Sequence, residues 1–363
     1  MNVVMVLNRF FPMIGGAEAQ CKSLSESLIK NHGCNINILT YKHDEKLKKR
    51  EIISGMIINR LSSPLWGQGL FYISVAIYLL VKRNKIDVIH CHSISVTSFI
   101  CSFLACITGN KCILKHTISG EIDLIKNRKG IKAKLKYLLI RYALNNSLVI
   151  TLTEEGREEL ERNQVLNYQL IPNGVDKDRF IQHVPVHYKH KDTIGFLGRF
   201  CDQKGIDILI SAYLASDKDN DLILMGSTQY QLASDIDFIL ETAKQEVGND
   251  LIIMEPQNPP YAFYKEISIY VSASRFEGMP NTVLEALALN KTCILSNIRP
   301  HKELKEKNPN AKIYLFDTVA DLTRLINSVR SESEIFNEYL SEQYLMQNVT
   351  REYYNVYKKQ SRI

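Results

Sequence analysis

Short apolar runs alternate with longer stretches of helical spacing along the whole chain. The first run, Val3-Val4-Met5-Val6-Leu7, carries no polar side chain, and further β-rich runs follow at 36–40, 88–90, 112–115, 149–152 and 169–171. Between them lie segments such as 17–30, where apolar residues recur every three or four positions and so share one helix face. Buried strands separated by helices predict a parallel sheet covered on both sides. The pattern then restarts at 193–197, 222–225, 251–254, 269–272, 292–295 and 313–316, after a polar stretch at 182–191 that reads as a linker. The expected architecture is α/β: two Rossmann-like, doubly wound domains, 1–185 and 186–344, facing each other across a cleft. A last helix at about 345–363 is expected to pack back on the first domain. Open parallel sheets bind ligands beyond the carboxyl ends of their strands, so the loops there are the place to look for chemistry.

Composition narrows the class without changing this picture. With 45% hydrophobic and 23% charged residues, the 363-residue chain is neither disordered nor fibrous. The best apolar run, 70–81, spans about 12 residues where a membrane helix needs about 20. The N-terminus lacks the basic leader of a signal peptide. Eight scattered cysteines without a C-x-x-C pair suggest reduced thiols and a cytoplasmic location. The net charge of +6 is uneven: residues 1–185 carry 25 Lys/Arg against 15 Asp/Glu, a net +10, and the remainder carries −4. Different partners for the two halves are implied.

Three loops carry candidate chemistry. Gly15-Gly16-Ala17-Glu18 follows the first strand, where paired glycines admit a ligand to backbone N–H groups at a helix start; a plain tight turn is the competing reading. In Gly198-Arg199-Phe200-Cys201-Asp202-Gln203-Lys204-Gly205, a guanidinium and an ammonium flank a strand-to-helix loop and could neutralise a diphosphate; a solvated basic turn is the alternative. In the third, Glu277 precedes Gly278-Met279-Pro280-Asn281-Thr282 at a helix entrance, and Glu285 follows on that helix. The helix-start amides can hold phosphate oxygens, while Glu285, among Leu284, Ala286, Leu287 and Ala288, needs a hydrogen-bonding partner.

Together these segments, with His90-Cys91-His92, His116 and Ile171-Pro172-Asn173-Gly174, resemble a retaining glycosyltransferase of family 4 (glycosyl transferases group 1), whose fold is GT-B. The motifs come in that family's order and span most of the chain. The resemblance implies that Arg199 and Lys204 grip the donor diphosphate. Glu277 faces the transferred sugar, Glu285 binds the donor ribose, and Gly278, Met279, Pro280, Asn281 and Thr282 approach phosphates or sugar. It also puts Gly16 near the diphosphate and His116 beside the reacting sugar, so that the catalytic set is Glu277, His116, Arg199 and Lys204. Gly15, Glu18, His90 and His92 are acceptor-side candidates, although the two histidines also fit a packing role. The loop 225–229 and the segment 254–261 depart from the family, which leaves the base unassigned.

An H-x-H pair with no further ligand at suitable spacing does not make a zinc site, and the Asp-x-Asp copies at 176/178, 217/219 and 235/237 read as solvated surface. No metal or other cofactor is expected. The stretch 126–141 holds seven cations (Lys126, Arg128, Lys129, Lys132, Lys134, Lys136, Arg141) and no acid, with Leu135, Leu138, Leu139 and Tyr142 as a candidate apolar stripe. It reads either as a helix packed into the domain or as a surface for anionic membrane, placing the protein peripherally at a cytoplasmic membrane face. Nothing resembles a nucleic-acid-reading module. The expected activity is transfer of a sugar from a nucleotide-diphosphate donor to a glycan or lipid-linked saccharide, as in cell-surface polysaccharide synthesis. An epimerase or phosphorylase on the same fold, and a silent sugar-nucleotide binder, are the alternatives. A dehydrogenase is disfavoured because the G-x-G-x-x-G fingerprint is missing.

Overall fold

The computed structural model describes the chain except residues 14, 63–66, 184–191, 218, 227–233, 258, 331–338 and 361–363. It divides into two compact units: unit 1 comprises Met1–Gly174 and Met346–Ile363, and unit 2 comprises Val175–Leu345. The division falls before the expected boundary at 185. The reason is the helix Lys177–His183, whose Phe180 packs edge-on against Tyr261 and Tyr264 and so belongs with the second half. Most of the expected linker lies outside the described residues.

Unit 1 holds eight strands: β1 (Asn2–Val6), β2 (Asn35–Tyr41), β3 (Arg50–Ile53), β4 (Met56–Leu61), β5 (Val88–Cys91), β6 (Lys111–His116), β7 (Leu148–Thr151) and β8 (Tyr168–Leu170). Their order is β3-β4-β2-β1-β5-β6-β7-β8, parallel except for β3 against β4. The sequence pattern did not predict β3 and β4. They form an edge hairpin with polar Arg50, Glu51, Asn59 and Arg60 in its strands, closed by Ser54 and Gly55, both at positive φ as a tight two-residue turn requires. One sheet face is covered by the helices Gly67–Lys82, Val96–Thr108 and Ile131–Asn145, which bury Phe71, Val75, Cys101, Leu104, Ile140 and Leu144.

The other face is covered by Gly16–His32 and by the last helix, Met346–Gln360. Met346, Val349, Tyr353, Val356 and Tyr357 recur at helical spacing and bury one stripe of that helix in unit 1. Gly174 admits the crossing, because a Cβ there would lie 2.9 Å from the Met346 Cα. The chain therefore leaves unit 1, builds unit 2 and returns.

Unit 2 holds β9 (Thr193–Leu197), β10 (Asp221–Met225), β11 (Leu251–Met254), β12 (Ile269–Ser272), β13 (Thr292–Ser296) and β14 (Ile313–Phe316), in the order β11-β10-β9-β12-β13-β14 with all pairs parallel. This is a doubly wound sheet whose strand order reverses between β9 and β12, the position where such sheets bind nucleotides. All eight cysteines are free thiols and all but Cys106 are buried. No helix is long and apolar enough to cross a membrane among the described residues.

Candidate active site

The loops after β9 and β12 meet at the reversal point of unit 2. After β9 the chain makes one turn of 3-10 helix (Asp202–Lys204) and enters the helix Ile206–Leu214 through Gly205, whose φ is +63°. A side chain at Gly205 would overlap the Ala273 carbonyl oxygen, so glycine lets the two loops touch. Further bonds stitch them: Arg275 N–H donates to the Gln203 carbonyl at 2.8 Å, and Gln203 Nε2 donates to the Phe276 carbonyl at 3.2 Å. The Arg275 guanidinium takes both Asp207 carboxylate oxygens, at 2.9 and 2.6 Å.

On this frame Lys204 and Glu277, 73 positions apart, form a close ion pair. Glu277 is buried and also accepts the Ser274 hydroxyl at 2.7 Å. Arg199 is exposed at the rim of the same loop, with Nη2 2.9 Å from Gln203 Oε1. Beneath Ser274, Ser296 donates to its carbonyl at 2.6 Å, and buried His301 lies with Nδ1 2.8 Å from the Ser296 carbonyl; burial pushes that imidazole down to about 4. Ser274, Gln203 and His301 were not singled out from the sequence. Ser274 alone left a trace there, a hydroxyl three residues before Glu277.

Gly278, Met279 and Pro280 are buried and lead into the helix Asn281–Ala288. Two buried tyrosines support its first turn from below: Tyr270 donates to Thr282 Oγ1 at 2.7 Å, and the Tyr264 hydroxyl lies 3.1 Å from the Thr282 carbonyl. The same Tyr264 hydroxyl is 2.8 Å from Glu285 Oε2. Burial pushes the Glu285 carboxyl up to about 7, with this hydrogen bond pulling the other way. Tyr264 is the partner that its apolar setting demanded. Gly226 abuts the Gly198 carbonyl with no room for a Cβ; residues 227–229, in the divergent loop, lie outside the described residues.

The remaining candidates lie in unit 1. Gly15 caps the helix Gly16–His32 in extended backbone, and a side chain there would collide with the Glu18 carboxylate, which sits in the first turn where it complements the helix dipole. Gly16 is exposed. His116, at the end of β6, is buried with Nε2 3.1 Å from Glu159 Oε2 and Nδ1 3.5 Å from Thr151 Oγ1. Burial raises the Glu159 carboxyl, but His116 and the Asp123 and Gly120 amides outweigh it and hold it below its ordinary value. Glu159 was also missed from the sequence, because nothing in the helical pattern of 154–162 marks it as buried.

His90 and His92 stack at 4.1 Å in the core, and His90 Nδ1 lies 2.7 Å from the Tyr357 hydroxyl of the last helix. Burial and the nearby Lys115 push His90 well down; burial, then His90 and Lys115, do the same for His92. His90 is thus a core residue tied to the last helix. Unit 1 also has a pocket of about 250 Å³ beyond β1 and β2, lined among others by Arg9, Met13, Tyr41, His43, Phe71 and Tyr72.

Comparison with known proteins identifies the family and the fold. Residues 191–331 match the family Glycosyl transferases group 1, and residues 14–179 match Glycosyltransferase Family 4. The chain is 26% identical over 241 residues to the Escherichia coli UDP-Gal:alpha-D-GlcNAc-diphosphoundecaprenol alpha-1,3-galactosyltransferase, a match covering 62% of this chain and 61% of that protein. Among solved structures, sucrose-phosphate synthase from Thermosynechococcus elongatus superposes with a TM-score of 0.76 at 16% identity, over 99% of this chain and 98% of that one. Anabaena HepE in complex with UDP-glucose gives 0.75 at 14% identity, over 99% and 100%. The chain belongs to the group 1, family 4 glycosyltransferases of GT-B fold.

Proposed function

We propose that the protein transfers a sugar from a nucleotide-diphosphate donor to a glycan or lipid-linked saccharide acceptor, with retention at the anomeric carbon. The observation that carries this reading is the Lys204–Glu277–Ser274 constellation at the strand-order reversal of unit 2, beside a helix start. A diphosphate arriving there meets the Lys204 ammonium, the Arg199 guanidinium and backbone amides, which stabilise the charge that develops as it leaves. These cations supply the neutralisation that a divalent ion would otherwise provide, so the reading requires no metal. Released from Lys204 by the diphosphate and still held by Ser274, Glu277 orients the transferred sugar. The anomeric carbon–phosphate bond breaks through an oxocarbenium-like state, the acceptor oxygen attacks from the same face, and its proton passes to the departing phosphate.

Unit 1 presents the acceptor in this reading. The pocket beside Arg9, Tyr41 and Tyr72 offers aromatic faces and a cation suited to a saccharide-phosphate, and the E. coli relative is named for a diphosphoundecaprenol-linked substrate. Docking of the basic stretch 126–141 on anionic lipid would place the protein peripherally at a cytoplasmic membrane face, consistent with a role in polysaccharide synthesis.

The donor half of the proposal is tested by thermal shift against UDP, GDP and ADP sugars. One class is expected to raise the melting temperature selectively, and product analysis with an acceptor should then show a new glycosidic bond of unchanged anomeric configuration. Epimerised sugar formed without acceptor, or no product across acceptors, would replace this reading by one of its alternatives.

Glu285 adds a pH signature. On this reading it accepts the donor ribose hydroxyls and must be ionised to do so, whereas in the free protein it titrates at about 7. Binding therefore releases a proton. Affinity for a nucleotide sugar, whose diphosphate does not titrate in this range, should rise about tenfold per pH unit below about 7 and level off above it. Glu285→Gln should flatten the profile; a wild-type affinity independent of pH between about 5 and 8 would contradict the assignment.

A further inference from the structure

A water-facing helix ordinarily shows charged and polar side chains on its outer side. The helix Gly67–Lys82 does not. Its outward stripe is aliphatic, with Ile73 55%, Ile77 57% and Val81 70% exposed, and its first fifteen residues carry no charge. The next two helices of the same layer, Val96–Thr108 and Ile131–Asn145, continue this surface with Ile107 and Leu138, each 62% exposed. Leu135 and Leu138, part of the candidate apolar stripe read from the sequence, point outward, while Ile140, Ala143 and Leu144 fill the inner side. Gly130, at φ +104°, separates this helix from Glu121–Asn127, so the basic stretch is two helical pieces and not one.

Within the three helices the charge has one sign; the neighbouring helix Glu121–Asn127 brings Glu121 close to Lys136 of the third. None of the three helices contains an Asp or Glu. Exposed cations stand at two of its corners: Lys82, Arg83 and Lys85 at the end of the first helix, and Arg128, Lys129 and Lys132 around the start of the third. A second copy of the chain on this face would bring like charges together, whereas an anionic bilayer complements both its aliphatic centre and its cationic border.

We infer that the outer face of helices Gly67–Lys82, Val96–Thr108 and Ile131–Asn145 is a membrane-insertion surface for anionic lipid. The aliphatic stripe enters the headgroup–acyl boundary, the helices lie in the membrane plane, and the bordering Lys and Arg contact lipid phosphates. This deepens the proposed peripheral location and rests on it: docking through 126–141 alone is electrostatic, while insertion adds a component that salt does not screen.

Flotation with phosphatidylcholine vesicles, with and without about 30% phosphatidylglycerol, at about 0.1 M and about 1 M NaCl separates the two. The wild type is expected to float with anionic vesicles and to retain part of its binding at high salt. Ile73→Ser/Ile77→Ser should lower that salt-resistant fraction about tenfold or more. Lys129→Glu/Lys132→Glu should mainly weaken binding at low salt. Wild-type binding that vanishes at high salt, or an Ile variant that floats like wild type, overturns insertion and leaves electrostatic docking standing. No flotation under any condition overturns both. A wild-type dimer that the Ile variant converts to monomer, with flotation unchanged, would assign the face to a second copy. Donor-induced thermal stabilisation, measured on every variant, shows that each is folded and reads out donor binding separately.

Discussion

Lys204→Ala is expected to lower kcat by about 10²–10³-fold, the usual effect of deleting one pre-positioned charge that stabilises a leaving group. Lys204 is held by Glu277, which is fixed in turn by Ser274, so its ammonium needs little reorganisation when the diphosphate arrives. The same deletion leaves the buried Glu277 carboxylate with Ser274 as its remaining hydrogen-bond partner among the described residues and costs stability of about 1–3 kcal/mol. Steady-state kinetics together with a melting curve separate the two effects. Adding Glu277→Gln to Lys204→Ala should recover stability without recovering turnover, because the stranded charge is removed while the diphosphate ligand is still missing. Arg199→Ala should act in the same direction more weakly, since Arg199 is exposed and braced by Gln203 alone among the contacts described above. Wild-type turnover in Lys204→Ala would remove this residue from the mechanism.

Gly205→Ala should be the most damaging single methyl group in unit 2. Positive φ already disfavours alanine there, and the new Cβ would overlap the Ala273 carbonyl, forcing apart the loops that carry Lys204 and Glu277. A destabilisation of about 2–4 kcal/mol is expected, seen by calorimetry as a fall of roughly 5–15 °C in the melting of unit 2. Donor-induced stabilisation should be lost along with it. Gly248→Ala is the control: it has a similar φ, but no atom lies within 4 Å of its would-be Cβ, so it should cost only the backbone term of about 1 kcal/mol. Equal effects at the two positions would show that the close approach to Ala273 carries no weight.

Most strands that the chain spelled out are buried on both faces, where a run such as Val3–Leu7 has no solvent side to supply polar residues; edge strands β11 and β14 were legible as well because their exposed positions hold Ile252, Ile253 and Tyr314. β3 and β4 escaped because an edge hairpin alternates Glu51 with Ile52 and Asn59 with Ile58, and so reads as polar loop. The candidate site was legible in its residue types and their order, while its internal pairings were not. Lys204 meets Glu277 only because β9 and β12 are neighbours, an adjacency set by the order β10-β9-β12-β13. Glu159 reaches His116 across 43 positions by the same kind of adjacency, through the loops after β6 and β7.

Periodicity reports how much of each residue is buried, since burial follows the local repeat of strand or helix. By itself the sequence therefore determined two doubly wound α/β halves, the loops that carry the candidate site, and a cationic segment at 126–141. Which buried polar group faces which, that His90 packs under Tyr357, and that Leu135 and Leu138 look outward with Ile73 and Ile77 were decided by tertiary structure. The physical reason is that each of these depends on which elements become neighbours and on how a helix is rotated against its sheet. Strand order and the competition among several apolar side chains for one core set both, and neither is written in any local window of the chain.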